Sequence, residues 1–281
     1  MLRLNPVARE TGLTKTLFKE TYLKRKEPVI FTDLMEAWPA KNKWTIDYFK
    51  SVYGHLEVPL YATNKGKGKK YISPERYMLF RDYLEILEAG PSNLRMFLFN
   101  IFKEAPELMK DFSTPTIMDG FINSFPFMFF GGKGATVGLH YDIDLSHIFL
   151  NQFYGRKRVV LFAPDQSTNI YHHPFSVASY IDVNNPDYKT FPALKKVVGY
   201  ECIVQPGETL FMPSAYWHYI EYVDSGYSMS LRANESYLRR GKGLLNIAEH
   251  FVIDKGMFRL LGKDWIKIKA KMAKRRAKQS L

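Results

Sequence analysis

The sequence predicts a mainly β protein with some α-helix, built around a double-stranded β-helix, or jelly roll. From about Leu94 onward, short apolar segments alternate with turns. Pro206-Gly207 and Ser225-Gly226 are two of the turn signals between these segments. Many short strands with few intervening helices are typical of a sandwich or barrel, and a double-sheet jelly roll is the natural form of such a chain. The candidate strands are Leu94–Phe99, Pro126–Phe130, His140–Leu150, Arg158–Phe162, Cys202–Val204, Thr209–Met212 and Tyr227–Leu231.

Residues 1–93 predict a mixed α/β region that packs on this core, which is expected to span residues 94–240. Thr14 and Thr45 are the caps of two predicted helices, and Gly54 ends the second. Ser73-Pro74-Glu75 predicts the start of a third helix, which Gly90-Pro91 ends. Two short strands are predicted at Pro28–Phe31 and Glu57–Tyr61.

Residues 241–281 predict a basic helical extension. One helix is expected over Leu244–Ile253, and a second runs from Met257 onward, with Gly262 as a candidate break. Apolar residues in the second helix recur at spacings of three and four, as in the seam of a paired helix. This pattern favours a homodimer, although the same stripe is compatible with packing on the chain's own core. The stripe consists of Phe258, Leu261, Trp265, Ile268 and Met272.

Composition limits the classes of protein to consider. The chain has 281 residues, of which 46% are hydrophobic, so it can bury a sizeable core. Cys202 is the only cysteine, which excludes an intramolecular disulfide and a cysteine-based zinc site. The first residues lack the apolar run of a signal peptide, and no segment approaches the length of a membrane span. We therefore expect a cytoplasmic protein without a membrane partner.

Positive charge is concentrated near one end of the chain. The formal net charge is +12, and residues 255–281 contain ten Lys or Arg residues against the single acid Asp264. A second basic segment carries Lys65, Lys67, Lys69 and Lys70. Such charge can bind nucleic acid, an acidic membrane or an acidic protein, or it can simply solvate a helix face. The sequence leaves these alternatives open.

The chemistry of the chain is predicted to centre on His140-Tyr141-Asp142. A Gly-rich turn precedes this segment and leads into a strand, in which positions i and i+2 point to the same face. His140 and Asp142 would then present a nitrogen and an oxygen to the same point. His218 is the best candidate for a third ligand, giving a two-His-one-carboxylate set that leaves positions open on Fe(II). His-x-Asp alone is a weak signal, because a strand histidine more often packs or hydrogen-bonds.

The motifs that follow make this signal more specific. The chain continues with the segments Gln152-Phe153-Tyr154-Gly155-Arg156-Lys157-Arg158, Val159-Val160-Leu161-Phe162-Ala163-Pro164-Asp165-Gln166, Pro206-Gly207-Glu208-Thr209-Leu210-Phe211-Met212-Pro213 and Trp217-His218. Together with His140-Tyr141-Asp142, they resemble the JmjC-type, cupin-like 2-oxoglutarate oxygenases, and most closely the asparaginyl hydroxylase members. The resemblance is close over about residues 126–235 and looser over 27–61.

The resemblance implies roles for individual residues. His140, Asp142 and His218 take the positions of the Fe(II) ligands, and Lys157 takes that of the lysine that pairs with the distal carboxylate of the co-substrate 2-oxoglutarate. An ammonium group is a compact point charge suited to that task. An ordinary surface lysine is the alternative for Lys157.

Several co-substrate positions depart from the family pattern. Val137 stands where a hydroxyl-bearing residue is expected, and Thr136 is one step out of register. Arg232 stands where an asparagine is expected late in the last core strand, and Phe97 replaces a tyrosine that reaches the keto acid. Thr136 and Arg232 are therefore the further candidates for binding the co-substrate.

The resemblance implies an Fe(II)- and 2-oxoglutarate-dependent dioxygenase that hydroxylates a protein side chain. Removal of a methyl group from N-methyl-lysine by the same chemistry is an alternative. A non-catalytic cupin-like module that docks on RNA or on a protein partner is a second alternative, from another class. The basic C-terminal helix adds an expected partner, a ribosome or another RNA–protein particle that presents the protein substrate.

Overall fold

The computed structural model describes residues 1–62, 74–97, 99–123 and 126–281, and two β-sheets form its centre. The strands, in chain order, are β1 (Arg3–Pro6), β2 (Ala8–Glu10), β3 (Val29–Phe31), β4 (Glu57–Ala62), β5 (Arg76–Leu79), β6 (Leu94–Met96), β7 (Phe127–Gly131), β8 (Thr136–His140), β9 (His147–Tyr154), β10 (Lys157–Phe162), β11 (Val198–Val204), β12 (Thr209–Met212), β13 (Trp217–Tyr222) and β14 (Gly226–Ala233).

The two sheets have five and nine strands. The smaller has the order β1-β11-β10-β13-β8, and the larger has the order β2-β3-β12-β9-β14-β7-β6-β4-β5. From β7 to β14 consecutive strands pass between the two sheets at every step except β10 to β11, as in a jelly roll, and neither sheet closes on itself. The predicted fold class is confirmed. The N-terminal strands β2 to β6 extend the larger sheet rather than forming one of their own, while the proposed division into three regions stays a prediction.

Side chains from both sheets meet in an apolar layer between them. Leu150 and Leu210 from the larger sheet lie in the same buried cluster as Val159 and Leu161 from the smaller one. The opposite face of the larger sheet is covered by the N-terminal helices. There Phe18 packs edge-on against Phe211, with ring centroids 4.9 Å apart. Because β9 and β12 are covered on both faces, they are buried along nearly their whole length.

Helices flank the sheets at both ends of the chain. They are α1 (Lys15–Phe18), α2 (Ala40–Lys43), α3 (Ile46–Tyr53), α4 (Phe80–Ala89), α5 (Ile101–Glu104), α6 (Tyr237–Glu249), α7 (Lys255–Leu261) and α8 (Lys263–Gln279). A π-helical turn, Lys19–Leu23, continues α1, and a second one, His250–Asp254, joins α6 to α7. The predicted caps Thr14 and Thr45 each accept a hydrogen bond from the first helical turn.

The third predicted helix was placed too early. Residues Arg76–Leu79 form β5, which pairs with β4, and the helix begins only at Phe80. The strand pairing satisfies the backbone of these residues, so tertiary structure overrides the local helix signal. The predicted cap Ser73 and the basic loop with Lys65, Lys67, Lys69 and Lys70 lie outside the described residues.

The C-terminal helices pack partly on the chain itself. Gly262, with φ of +54°, separates α7 from α8, which confirms the predicted break. Trp265 is buried and donates its indole N–H to Asp254 Oδ1 at 2.7 Å. Ala273 and Ala277 lie in the buried cluster on the outer side of the smaller sheet. Within the described part of the chain, none of the helices is long and apolar enough to cross a membrane.

Candidate active site

The register between β8 and β13 brings the three predicted metal ligands together. His218 on β13 lies directly opposite His140 at the end of β8, and the two ring centroids are 4.2 Å apart. Asp142 follows His140 by two residues. One potential ligand atom from each of the three side chains lies within 4.8 Å of the other two. The chain thus folds into the facial donor set that the sequence predicts.

Backbone hydrogen bonds orient both imidazoles. The Nδ1 atom of His140 lies 2.8 Å from the carbonyl oxygen of Gly138, and that of His218 lies 3.1 Å from the carbonyl oxygen of Tyr216. The Nε2 atoms of His140 and His218 lie 4.0 and 3.9 Å from Asp142 Oδ1. When each Nδ1–H donates to its carbonyl oxygen, each Nε2 keeps a lone pair that can bind a metal. Burial, and then the neighbouring imidazole of His218, lower the pKa of His140 to about 4, so the ring is neutral at pH 7.

Arg232 fixes the carboxylate of the cluster. Its Nη2 lies 3.2 Å from Asp142 Oδ2, and its Nε lies 3.2 Å from Asp144 Oδ2. Burial alone would raise the pKa of Asp142, but Arg232 and the two imidazoles outweigh it and hold that pKa below its usual range. One oxygen of Asp142 is therefore engaged by a guanidinium group, while the other faces the imidazoles.

Lys157 lies in the interior between the sheets rather than on the surface. It follows a tight turn at Gly155, where φ is +66° and an added Cβ would lie 2.3 Å from the carbonyl oxygen of Ser225. Its ammonium group donates to the hydroxyl of Ser228 and lies 4.4 Å from the ring centroid of Tyr222. Burial, and then the guanidinium of Arg95, lower the pKa of Lys157 to about 7. The alternative of an ordinary surface lysine is excluded.

A row of polar side chains on β14 connects Lys157 with the histidine–aspartate cluster. Ser228, Ser230 and Arg232 alternate along this strand and therefore share one face. Ser228 contacts Lys157 at one end of the row, and Arg232 contacts Asp142 at the other. Sequence reasoning missed the two serines. The signal that could have found them is the period-two recurrence of polar residues in a strand that is otherwise apolar.

Three hydrogen-bonding atoms near this row have no partner among the residues that the structure describes. They are Arg95 Nε, Ser230 Oγ and Arg232 Nη1, each inaccessible to solvent. Buried polar groups in native proteins are nearly always hydrogen-bonded, so such atoms call for a ligand or water. All three can donate, and Lys157 adds a fourth donor. The set fits an acidic molecule with several oxygens, such as 2-oxoglutarate. Arg95, which lies between the apolar residues Leu94 and Met96, was also missed from sequence.

The structure does not bring Thr136 to this set. Between His218 and Ile220, β8 contains one residue more than β13, so Val137 lies opposite Ile220 and Thr136 lies opposite Glu221. This bulge reverses the alternation along β8. Val137 therefore shares the face of the two histidines, whereas Thr136 is turned away and is a hydrogen-bond partner of Tyr219. Thr136 therefore lies on the side away from the unpartnered donors, and its role in binding the co-substrate stays a prediction without support from this placement.

Phe97, predicted in place of a co-substrate tyrosine, follows β6 directly. Its ring packs edge-on against Tyr61 with centroids 4.7 Å apart, and the guanidinium carbon of Arg95 lies 5.7 Å from its centroid. On this side of the interior, the polar group is thus supplied by Arg95 rather than by a residue at position 97.

Comparison with known proteins agrees with this geometry. Residues 15–234 match the family model described as "Cupin-like domain". The chain belongs to the cupin-like domain family. This match confirms the resemblance to JmjC-type, cupin-like proteins on which the sequence-based expectations depended.

Relatives of the chain have different names. It is 28% identical to lysine-specific demethylase 8 of Danio rerio, over 76% of this chain and 54% of the relative. It is 30% identical to JmjC domain-containing protein D of Dictyostelium discoideum, over 75% and 52%. It is 26% identical to tRNA wybutosine-synthesizing protein 5 of Gallus gallus, over 78% and 74%. The chain spans about half the length of the first two relatives.

The donor chemistry fits an Fe(II) ion. Two imidazole nitrogens and one carboxylate oxygen, on one side of a point, form the two-His-one-carboxylate set typical of non-haem Fe(II) oxygenases. The second oxygen of Asp142 and both Nδ1 atoms have hydrogen-bond partners, so the outer layer that orients metal ligands is also present.

We expect His218→Ala to weaken binding of Mn(II), used as an air-stable substitute for Fe(II), by more than about 100-fold. The reason is that removing a metal ligand should lower the affinity more than removing a residue that only hydrogen-bonds to a ligand, which typically lowers metal affinity roughly 10–100-fold. Titration followed by electron paramagnetic resonance measures this affinity. His55→Ala, which removes an exposed histidine outside the cluster, is the matched control and should bind like the wild type. Wild-type affinity in His218→Ala would show that the ligand set is wrong.

Proposed function

We propose that this protein is an Fe(II)- and 2-oxoglutarate-dependent oxygenase that hydroxylates a protein side chain. The observation that carries the proposal is the joint presence, in one interior, of the His140–Asp142–His218 cluster and the unpartnered donors that lead to Lys157. When bound, Fe(II) and 2-oxoglutarate would couple the oxidation of a substrate C–H bond by O₂ to conversion of the keto acid into succinate and CO₂.

The chain's own residues prepare this chemistry in three ways. His140, Asp142 and His218 would hold the metal through one atom each, since Arg232 occupies the second oxygen of Asp142. Lys157 would hold the distal carboxylate, since no carboxylate within the described ranges pairs with it. The apolar layer between the sheets keeps water from the far end of the site, which strengthens these charge interactions.

Demethylation of N-methyl-lysine is the second candidate, and the names of several relatives favour it. The two reactions share their oxidative step. Hydroxylation of an N-methyl group gives a hydroxymethylamine, whose C–N bond then breaks to release formaldehyde and leave the N–H amine. Another relative is named for tRNA modification, so the relatives' names point to more than one class of substrate. A non-catalytic module is disfavoured because the metal donors and their outer partners are all retained.

Products distinguish these candidates. We expect the Fe(II)-loaded protein to convert 2-oxoglutarate to succinate and to add about 16 Da, one oxygen atom, to a protein of the host lysate, without formaldehyde. Mass spectrometry of lysate proteins treated with wild type or with Asp142→Ala would detect the addition. Formaldehyde release from methylated peptides would instead support demethylation. Absence of both, together with no 2-oxoglutarate consumption in any lysate fraction, would contradict an oxygenase.

A homodimer through the C-terminal helices is a further proposal. Exposed apolar side chains on α6 and the turn that follows it recur every seven residues, as in a helix-pairing seam. Trp265, from the stripe predicted on sequence, is instead buried within the chain. The proposed seam, which we call the C-terminal apolar face, therefore lies mainly before Gly262. It consists of Leu238, Leu244, Leu245, Phe251, Val252 and Phe258.

We expect the combined change Leu245→Arg and Phe251→Arg to convert a dimer to a monomer, because the partner helix would have to bury two unpaired charges. Multi-angle light scattering at micromolar concentration measures the mass. Leu17→Arg, at an exposed apolar position on α1, is the control and should leave the dimer intact. A wild-type chain that is monomeric under these conditions refutes the proposal.

We also propose that the outer face of α8 docks the protein on a ribosome or another RNA–protein particle that presents the substrate. The inner face of α8 is buried through Trp265, Ala273 and Ala277. Lys269 is buried with them and pairs with Asp254, whereas most of the other cations of the helix point to solvent. The exposed cations are Lys263, Lys267, Lys271, Lys274, Arg275, Arg276 and Lys278. Attraction to phosphates adds affinity without sequence choice and falls steeply with salt. The alternative is that these charges only solvate the helix.

We expect replacement of Lys263, Lys271, Arg275 and Lys278 by Gln to abolish co-sedimentation with ribosomal particles at low salt, because it removes four phosphate-binding charges while keeping the buried face of α8. The matched control should sediment like the wild type. It replaces four exposed cations outside α8 by Gln, namely Lys19, Arg25, Lys103 and Lys133. If both variants sediment equally with the particles, or if the wild type does not sediment with them, the docking proposal fails. The cations of α8 would then only solvate the helix.

A further inference from the structure

Arg95 occupies an unusual position at the far end of the candidate site. It lies on β6, opposite Gly131 of β7, and its Nε atom is inaccessible to solvent and has no hydrogen-bond partner in the described part of the chain. An added Cβ at Gly131 would lie 2.4 Å from the ring of Tyr222, so that ring packs against the strand paired with Arg95. The same ring lies under the ammonium group of Lys157. Arg95, Tyr222 and Lys157 therefore converge on one region.

Two cations in this region repel each other. Burial, and then Arg95, lower the pKa of Lys157, and burial also lowers the pKa of the Arg95 guanidinium. The two carboxylates of the site, Asp142 and Asp144, are both engaged with Arg232. Within the described ranges, the contacts of Lys157 are a neutral hydroxyl and an aromatic ring, so neither balances its charge. Such an arrangement opposes folding unless an anion binds between the cations.

We infer that Arg95 is a second anchor for the far carboxylate of 2-oxoglutarate and acts together with Lys157. The inference rests on the proposed function and adds the residue that selects a dicarboxylic keto acid over a monocarboxylic one. A guanidinium group offers several N–H donors in a planar fork that matches a carboxylate, whereas an ammonium group offers a point charge. A carboxylate held by both would satisfy Arg95 Nε and neutralise the repulsion with Lys157.

The test measures binding rather than turnover, in full-length protein loaded with Mn(II). Isothermal titration with 2-oxoglutarate and with 2-oxobutanoate, which lacks the far carboxylate, separates the two ends of the ligand. We expect Arg95→Gln to lower the affinity for 2-oxoglutarate at least about tenfold, the scale of one charge-assisted hydrogen bond. The affinity for 2-oxobutanoate should stay within about twofold of the wild-type value. Arg95→Lys should recover part of the loss. Arg76→Gln, an exposed arginine on β5, is the matched control and should have no effect.

A second measurement separates anchoring from a structural role. Because Arg95→Gln removes one of two repelling cations, we expect the melting temperature of the ligand-free protein to stay the same or rise, while the increase caused by 2-oxoglutarate shrinks. Lys157→Gln should also lower the affinity for 2-oxoglutarate at least about tenfold. The fold loss of affinity in the double variant should be smaller than the product of the two single losses, since both residues hold one carboxylate.

The outcomes that overturn the inference differ from those that overturn the proposed function. If the wild type binds 2-oxoglutarate and Arg95→Gln binds it equally well, Arg95 is not an anchor. The same conclusion follows if Arg95→Gln lowers the melting temperature and weakens both keto acids alike, because that is a structural defect. If the wild type does not bind 2-oxoglutarate at all in the presence of Mn(II), the proposed function itself fails.

Discussion

The register of β13 between β8 and β10 is the constraint on which the candidate site depends. On one side it sets His218 opposite His140, and on the other it sets Tyr222 opposite Lys157. One strand thus fixes both ends of the candidate site, the possible metal donors and the proposed carboxylate anchor Lys157. A slip by one residue would turn every inward side chain of β13 outward. The apolar residue Ile220, between the two ends, opposes such a slip because it belongs to the layer between the sheets.

The site also illustrates how function opposes stability in this fold. Lys157 and Arg95 place positive charge in an interior that is otherwise apolar, and Arg232 is the only one of the three cations paired with carboxylates among the described residues. The sheets can tolerate this charge because their apolar layer and the helices packed outside are extensive. Sites of this kind are expected where a ligand supplies the missing partner.

Much of the fold and part of the site could be predicted from sequence, and the difference follows from distance along the chain. His140 and Asp142 are two residues apart, so strand geometry alone predicts that they share a face. Arg95 is far from Lys157 in sequence, and only the order of strands brings them together. The face on which Thr136 lies could not be predicted, because a bulge in β8 reverses the alternation and leaves no clear local signal. The predicted start of α4 was too early because the pairing of β5 with β4 overrides the local helix signal.

The division of the site into an inner and an outer part bears on the substrate. The inner residues, from the metal donors to Lys157, would contact only the metal and the keto acid, so proteins with different substrates can share them. This agrees with the different names of the relatives.

Discrimination between substrates must then come from surfaces outside the sheets. The surfaces that we propose for this role are the basic outer face of α8 and the C-terminal apolar face, which belong to one run of helices from Tyr237 onward. A second copy that covers the apolar face would leave the cations of α8 exposed, and would double their number on one particle. Multivalency of that kind strengthens docking without adding a specific contact, so the identity of the particle, rather than the pocket, would decide which side chain is oxidised.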